Sequence, residues 1–282
     1  MEIRMALLDL AATAAAPAIW GSTYLVTTLW LPPDRPLTLA LLRALPAGLL
    51  LLAVTRRLPT GVWWGRVAIL GALNFSIFWA CLFVGAYRLP GGVAATLGAV
   101  QPLLVIALQR LIVGTAVRAR QVVVGVVGLI GVALLVLTPA AALDPIGIVA
   151  TLAGAASMAL GTVLTRHWRP AETPLTFTAW QLVAGGILLA PVALALEPPL
   201  PPLGTANVLG LLYLGLIGAA LTYWLWFRGL ARLEPTVVAP LGFLSPLVAV
   251  GLGVVVMGQT PSPAQAFGMV LVLGSVWANM RS

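Results

Sequence analysis

From Val67 onward the chain runs as apolar blocks without a charged residue, 67–87, 89–109, 121–143, 145–165, 173–196, 198–227 and 235–280, separated by short segments where arginine collects. A helix needs ~20 mainly apolar residues to cross a ~30 Å hydrocarbon core, and every block reaches that length. Lipid is therefore the solvent for most of the chain. In lipid each backbone polar group must be satisfied internally, so the fold class is all-α and polytopic.

Cutting the blocks at Pro, Gly and charge clusters predicts ten spans, near 8–30, 37–55, 67–87, 91–112, 120–138, 146–166, 175–196, 207–229, 235–257 and 263–280. The last cut rests on the turn cluster from Gly258 through Gln259 to Pro263. With 61% hydrophobic and 8% charged residues and a mean hydropathy of +1.08, no polar stretch remains that could fold beside the helices. The N-terminal run to Ala16 superficially resembles a signal peptide. Asp9 interrupts its apolar region and hydrophobicity continues to Leu31, as in an uncleaved first span. The one cysteine, Cys81, lies inside an apolar block, which leaves no disulfide framework and no metal-ligand spacing. No cofactor or metal is expected.

All fifteen basic residues are arginine. With both termini cytoplasmic, twelve fall on the cytoplasmic side (Arg4, Arg56, Arg57, Arg66, Arg110, Arg118, Arg120, Arg166, Arg169, Arg228, Arg232 and Arg281), and only Arg35 and Arg88 on the other. This satisfies the positive-inside rule and accounts for the net charge of +8. Charge dispersed among short loops forms no basic face, so nucleic acid is not a partner.

Shifting the chain by 144 residues superposes Arg88-Leu89 on Arg232-Leu233, Gly98 and Pro102 on Gly242 and Pro246, Gly114 on Gly258, and Gln121 on Gln265. A slightly shorter shift pairs Trp20-Gly21-Ser22 with Leu160-Gly161-Thr162, and Pro36-Leu37-Thr38 with Pro174-Leu175-Thr176. Two repeats follow, 1–140 and 141–282, with five spans each. An odd number per repeat sends the second into the membrane from the opposite side. Such inverted repeats around a central cavity are a transporter signature.

These features resemble the drug/metabolite transporter superfamily in its ten-helix EamA-type form. Trp20-Gly21, Arg43, the Gly-x-x-x-Pro elements of the fourth and ninth spans, and the exits at Gly114 and Gly258 carry the resemblance over nearly the whole chain. Many members place glutamate after the exit glycine; Thr115 and Gln259 stand there instead. The aromatic-rich interior is most similar to bacterial aromatic amino acid exporters. The resemblance implies a basket of helices in the bacterial inner membrane, exporting neutral or aromatic amino acids and related metabolites by alternating access. Another small metabolite or a drug is the alternative cargo.

The residues themselves give a compatible picture. Asn74, Ser76, Thr96, Gln101, Gln109, Ser157, Thr162, Gln181, Thr222 and Ser245 are the main polar side chains within spans. Each must face another helix or a wet cavity. The expected substrate-binding set is Trp20, Asn74, Phe78, Trp79, Gln101, Trp180, Tyr223, Trp224 and Ser245. Asn74 and Phe78 share a helix face, and the 144-residue shift pairs Trp79 with Tyr223 and Gln101 with Ser245. Gln101 and Ser245 also precede Pro102 and Pro246, whose missing N–H frees an upstream carbonyl. Each polar residue could equally be helix glue, and each Trp a packing residue. Trp30, Trp63, Trp64, Trp168 and Trp277 lie at span ends as interfacial anchors.

Arg43 is the one basic residue well within a span, drawing either a substrate carboxylate or helix carbonyls. No Asp or Glu lies mid-span and His167 falls in a loop, so the expectation is transport without proton coupling. A membrane enzyme would need a nucleophile with its base, a carboxylate pair or a metal set, and the spans offer none at suitable spacing. A non-transporting membrane component is disfavoured by the repeat. Because the two repeats can form the cavity within one chain, a monomer suffices for transport, with a small molecule and the bilayer as the partners.

Overall fold

Proline opens five of the ten long helices among the described residues. Pro36, Pro145 and Pro174 stand at helix starts, where a missing N–H costs nothing. Asp144 and Thr173 cap the helices that follow them by accepting from the N–H of Gly147 and Thr176, at 2.9 and 3.2 Å. Gly114 and Gly258 end two others in left-handed backbone, φ 79° and 66°, where only glycine is unstrained.

A computed structural model describes residues 2–89, 91–136, 144–258 and 260–280. Among these, ten helical rods occupy the ten expected spans: α1 Glu2–Trp30, α2 Pro36–Thr55, α3 63–88, α4 91–113, α5 Ala119–Val136, α6 Pro145–Trp168, α7 Pro174–Leu196, α8 Thr205–Arg232, α9 235–257 and α10 Pro263–Met280. The expected end of the fifth span, the turn residue Gln259 and Arg281 lie outside the described residues. α1 starts earlier than the apolar pattern suggests, at Glu2 rather than near residue 8.

Four rods are irregular. α3 carries a π-helical segment at Ala72–Ser76 and α8 a longer one at Tyr213–Leu221. α4 breaks between Gly98 and Gln101, and α9 tightens into 3-10 geometry at Ala239–Phe243. The 144-residue shift carries Ala72–Ser76 into the π segment of α8 and brings the other two breaks together at Phe243, while a further π segment of α4, Gln109–Val113, falls on regular helix in α9.

Loop contacts sort the helix ends onto two faces. On one, Asp9 meets Arg228 and Arg232, Arg57 meets Glu172, and Arg166 and Arg169 donate to the Ala231 carbonyl. On the other, both Glu197 carboxylate oxygens accept from the first N–H groups of α2, Leu37 at 2.6 Å and Thr38 at 2.7 Å. An anion at a helix N-terminus is well placed electrostatically. Arg35, Arg88 and Asn207 make further cross-chain bonds there.

Packing follows the same exchange. α2 lies along α7 and α5 along α10, while α3 crosses α6 as α8 crosses α1. At the last two crossings a glycine of one helix abuts a threonine of the other. A Cβ on Gly85 would land on Thr151 Oγ1, and one on Gly229 on Thr13 Oγ1. Small residues let membrane helices approach this closely.

Candidate functional site

Where α1, α3 and α8 meet, aromatic rings fill the centre of the bundle. Trp20 lies 5.0 Å from Tyr223 and 5.3 Å from Trp226, centroid to centroid. Phe75 packs at 4.6 Å on Tyr223 and 5.3 Å on Trp79, and Tyr223 reaches Trp79 at 6.3 Å. Phe227 continues the chain of rings to Phe177, at 6.2 Å. These are the tilted and edge-on arrangements that ring quadrupoles favour. Trp79 and Tyr223 are 4% and 3% exposed, so the cluster closes the middle of the protein.

Arg43 approaches this cluster from α2. Its guanidinium carbon sits 5.4 Å from the centre of the Trp79 ring, within cation–π range. Its Nη2 donates to the Gly218 carbonyl at 2.5 Å. Gly218 belongs to the π segment of α8, whose register leaves carbonyls open to side chains. The π segment of α3 behaves alike, the Leu73 carbonyl accepting from Ser157 at 2.8 Å. Of the two sequence readings of Arg43, the structure therefore shows the backbone-held one in this conformation. Trp20 Nε1 donates to Thr222 Oγ1 at 2.8 Å, so that ring is fixed by a polar tether.

Of the nine expected site residues, Trp20, Trp79 and Tyr223 come together. Phe78 packs half-buried against the same core. Asn74 turns away into a polar network between α3, α6 and α7, donating to Gln181 Oε1 at 2.7 Å and Thr165 Oγ1 at 3.3 Å. Asn74 Oδ1, Gln181 Nε2 and Thr162 Oγ1 are buried there without a partner in the structure. Such atoms are where a water or a ligand group bonds. Gln101 Nε2 is likewise buried and unpartnered, at the break in α4. The Ser245 carbonyl faces Gly21 in the contact of α9 with α1.

Trp180 stands apart. It packs with Val67, Leu70 and Phe177, and its Nε1 donates to the Arg57 carbonyl at 2.6 Å. Trp224 is half-buried and stacks with none of the described rings. Sequence reasoning missed Phe227, Trp226 and Thr165, which are central to the arrangement. The shift of 144 residues could have raised Phe227, since it maps onto Phe83.

Two cavities flank the aromatic cluster. One, of about 210 Å³, opens on the face bearing Arg169 and Glu172 and is walled by Phe177 and Phe227. The other, of about 410 Å³, opens on the opposite face among Asp34, Leu37, Phe83 and Arg88.

A ten-rod apolar bundle with a cavity on each face and a closed aromatic middle defines a multi-pass membrane transporter. The chain belongs to the EamA-like transporter family, whose model matches it twice, over residues 8–137 and 145–281. It is 48% identical to Protein PecM of Dickeya dadantii (strain 3937), over 93% of this chain and 88% of that protein. It is 28% identical to the uncharacterized inner membrane transporter YedA of Escherichia coli (strain K12), over 98% and 92%. A protein of Salmonella typhimurium named "Probable amino-acid metabolite efflux pump" is 25% identical over 93% and 91%. A solved crystal structure shares the fold, with a TM-score of 0.82 at 21% identity over 96% of both chains.

Proposed function

We propose that this protein exports neutral, chiefly aromatic, amino acids and related metabolites across the bacterial inner membrane by alternating access. The observation that carries the reading is Arg43 poised over Trp79 beside Tyr223 and Trp20. An aromatic side chain entering that cluster exchanges ring–ring contacts for ring–ring contacts. Its carboxylate competes with the Gly218 carbonyl for the guanidinium, and a charged acceptor makes the stronger bond. Trp20, Trp79 and Tyr223 form the core of the binding set, with Gln101 supplying an unpartnered amide. The name given to the Salmonella relative supports an amino-acid class of cargo.

The repeats 1–140 and 141–282 are inverted in this reading. The exchanged helix crossings, the matched π segments and the ion pairs on opposite faces support it. Exchanging the conformations of the two halves would open one face as the other closes. The arginine-rich face, with both termini, is cytoplasmic by the positive-inside rule. One chain holds a full set of halves, so a monomer transports, and no catalytic step is involved. Transport runs down the substrate gradient without protons in this reading, which the lack of an Asp or Glu in the middle of any span supports.

Ligand-induced stabilisation tests the cargo. Phenylalanine and tryptophan bind the folded protein and raise its melting temperature in detergent, whereas glutamate and a cationic dye leave it unchanged. Equal shifts for all four, or a shift from the dye alone, would overturn the aromatic assignment.

A further inference from the structure

The two cavities share part of their lining through the same repeat that relates the helices. Glu172 on one and Asp34 on the other each stand two residues before a Pro-Leu-Thr helix start, Pro174 and Pro36, and both prolines line their cavities. Phe227 on one and Phe83 on the other are related by the shift of 144 residues. Each cavity also holds one arginine, Arg169 or Arg88, which the shift does not relate, since it carries Arg88 onto Arg232; the second cavity holds a further carboxylate, Glu197, whose oxygens are taken by the Leu37 and Thr38 N–H groups. Both thus present a carboxylate, a guanidinium and a phenylalanine wall.

A second observation marks the same places. Among the described residues, Asp34 and Arg169 are two of the three non-glycine residues with positive φ, at 60° and 26°. Backbone held in so sparse a region costs of order 1–3 kcal/mol, and such residues gather at ligand sites. Neither arginine is locked into its cavity wall by a short ion pair. Arg169 donates to the Ala231 carbonyl at 3.2 Å, and Arg88 meets Asp144 at 3.4 Å on an exposed edge. Glu172 is drawn by Arg57, itself largely exposed, at 3.4 Å.

We propose that these cavities are paired zwitterion stations, one loading substrate at the arginine-rich face and the other releasing it at the opposite face. The carboxylate of the station receives the ammonium group and the arginine receives the substrate carboxylate. An uncharged side chain then lies against Phe227 or Phe83. On the loading side that ring is the first of the series Phe227, Tyr223, Trp79 that leads to the centre. A volume of about 210 Å³ is of the size of one amino acid. A charged side chain would meet phenylalanine and lose its hydration, so the station selects neutral amino acids before the central site does.

This inference rests on the amino-acid reading above, and sided kinetics separate the two. Counterflow of labelled phenylalanine is measured in vesicles of each orientation. Glu172→Gln is expected to raise KM about fivefold to tenfold from the arginine-rich side only, and Asp34→Asn to do so from the opposite side only, in line with the loss of one charge-assisted bond. Glu172→Asp keeps the charge and restores most of the affinity. 3-Phenylpropionate, which has no ammonium, competes poorly with the parent protein and gains relative to phenylalanine in Glu172→Gln. Equal KM changes from both sides, or none, in variants that melt like the parent would overturn the stations while leaving the central site standing. A parent protein that moves no amino acid would overturn the cargo assignment, and the stations with it.

Discussion

Arg232 closes one face of the bundle on Asp9, its Nη1 lying 2.9 and 3.0 Å from the two carboxylate oxygens. Arg88, its counterpart 144 residues earlier, meets Asp144 on the other face at 3.4 Å. Each pair ties the end of a third helix to the start of a first helix in the other half. The Asp9 pair is the tighter, reinforced by Arg228 at 2.6 Å, and its carboxylate is 12% exposed against 36% for Asp144. Of these two ties, the one at the arginine-rich face is thus the tighter latch.

Asp9→Asn removes that latch. The arginines are 27% and 49% exposed, so water offsets part of the loss and the cost is set below that of a fully buried pair, at about 1–3 kcal/mol. The arginine-rich face should also open more often. A cysteine placed at Thr165 in a Cys81→Ser background, labelled by a maleimide, should react faster in the Asp9→Asn protein than in its parent.

Asp144 has its carboxyl held below the usual carboxylate range, first by the Gly147 N–H that donates to it and further by the Arg88 charge. A lowered folded pKa stabilises the protein above the unfolded value and is lost as pH falls through the folded one. The difference in melting temperature between the parent and Asp144→Asn should therefore hold from pH 7 into the ordinary carboxylate range, and vanish only below it.

Gly85→Ala should cost about 1–3 kcal/mol, because its methyl group falls on the Thr151 hydroxyl. With Thr151→Ala added, the closest remaining atom is the residue-151 Cβ at 3.3 Å, and stability should largely return. Gly229→Ala with Thr13→Ala should recover less, since the Thr13 Cβ stays at 2.9 Å. Melting of the four variants in detergent distinguishes these cases.

Trp79→Leu deletes both the ring beside Tyr223 and the face under Arg43. Losing aromatic and cation–π contacts worth about 1–2 kcal/mol should raise KM for phenylalanine roughly fivefold to thirtyfold. Trp180→Phe, which touches neither Trp79 nor Tyr223 by ring contact, should leave KM unchanged and lower stability through the lost bond to the Arg57 carbonyl. Initial rates across a concentration series check both.

The ten rods were legible because bilayer thickness fixes the length of each apolar block, and Pro and Gly mark its ends. The pairing of Trp79 with Tyr223 was legible for a different reason: the repeat shift carries one onto the other without reference to side-chain packing. The π segments left no such trace, since a one-residue expansion at Ala72–Ser76 changes neither composition nor hydropathy. Within it Asn74 meets Gln181, while Phe75 stays with Trp79 on the central cluster. Trp180 shows the same limit from the other side. Its depth within a span does not determine its neighbours, and helix register places it against α3 at the arginine-rich end.

Phenylalanine counterflow is the most direct test of aromatic amino-acid export. In liposomes loaded with unlabelled tryptophan, the purified protein should accumulate labelled phenylalanine transiently and saturably, at the same rate with and without an imposed pH gradient, and poorly with Arg43→Gln. Absence of any amino-acid counterflow in protein that melts cooperatively, or a rate driven by the pH gradient, would contradict it.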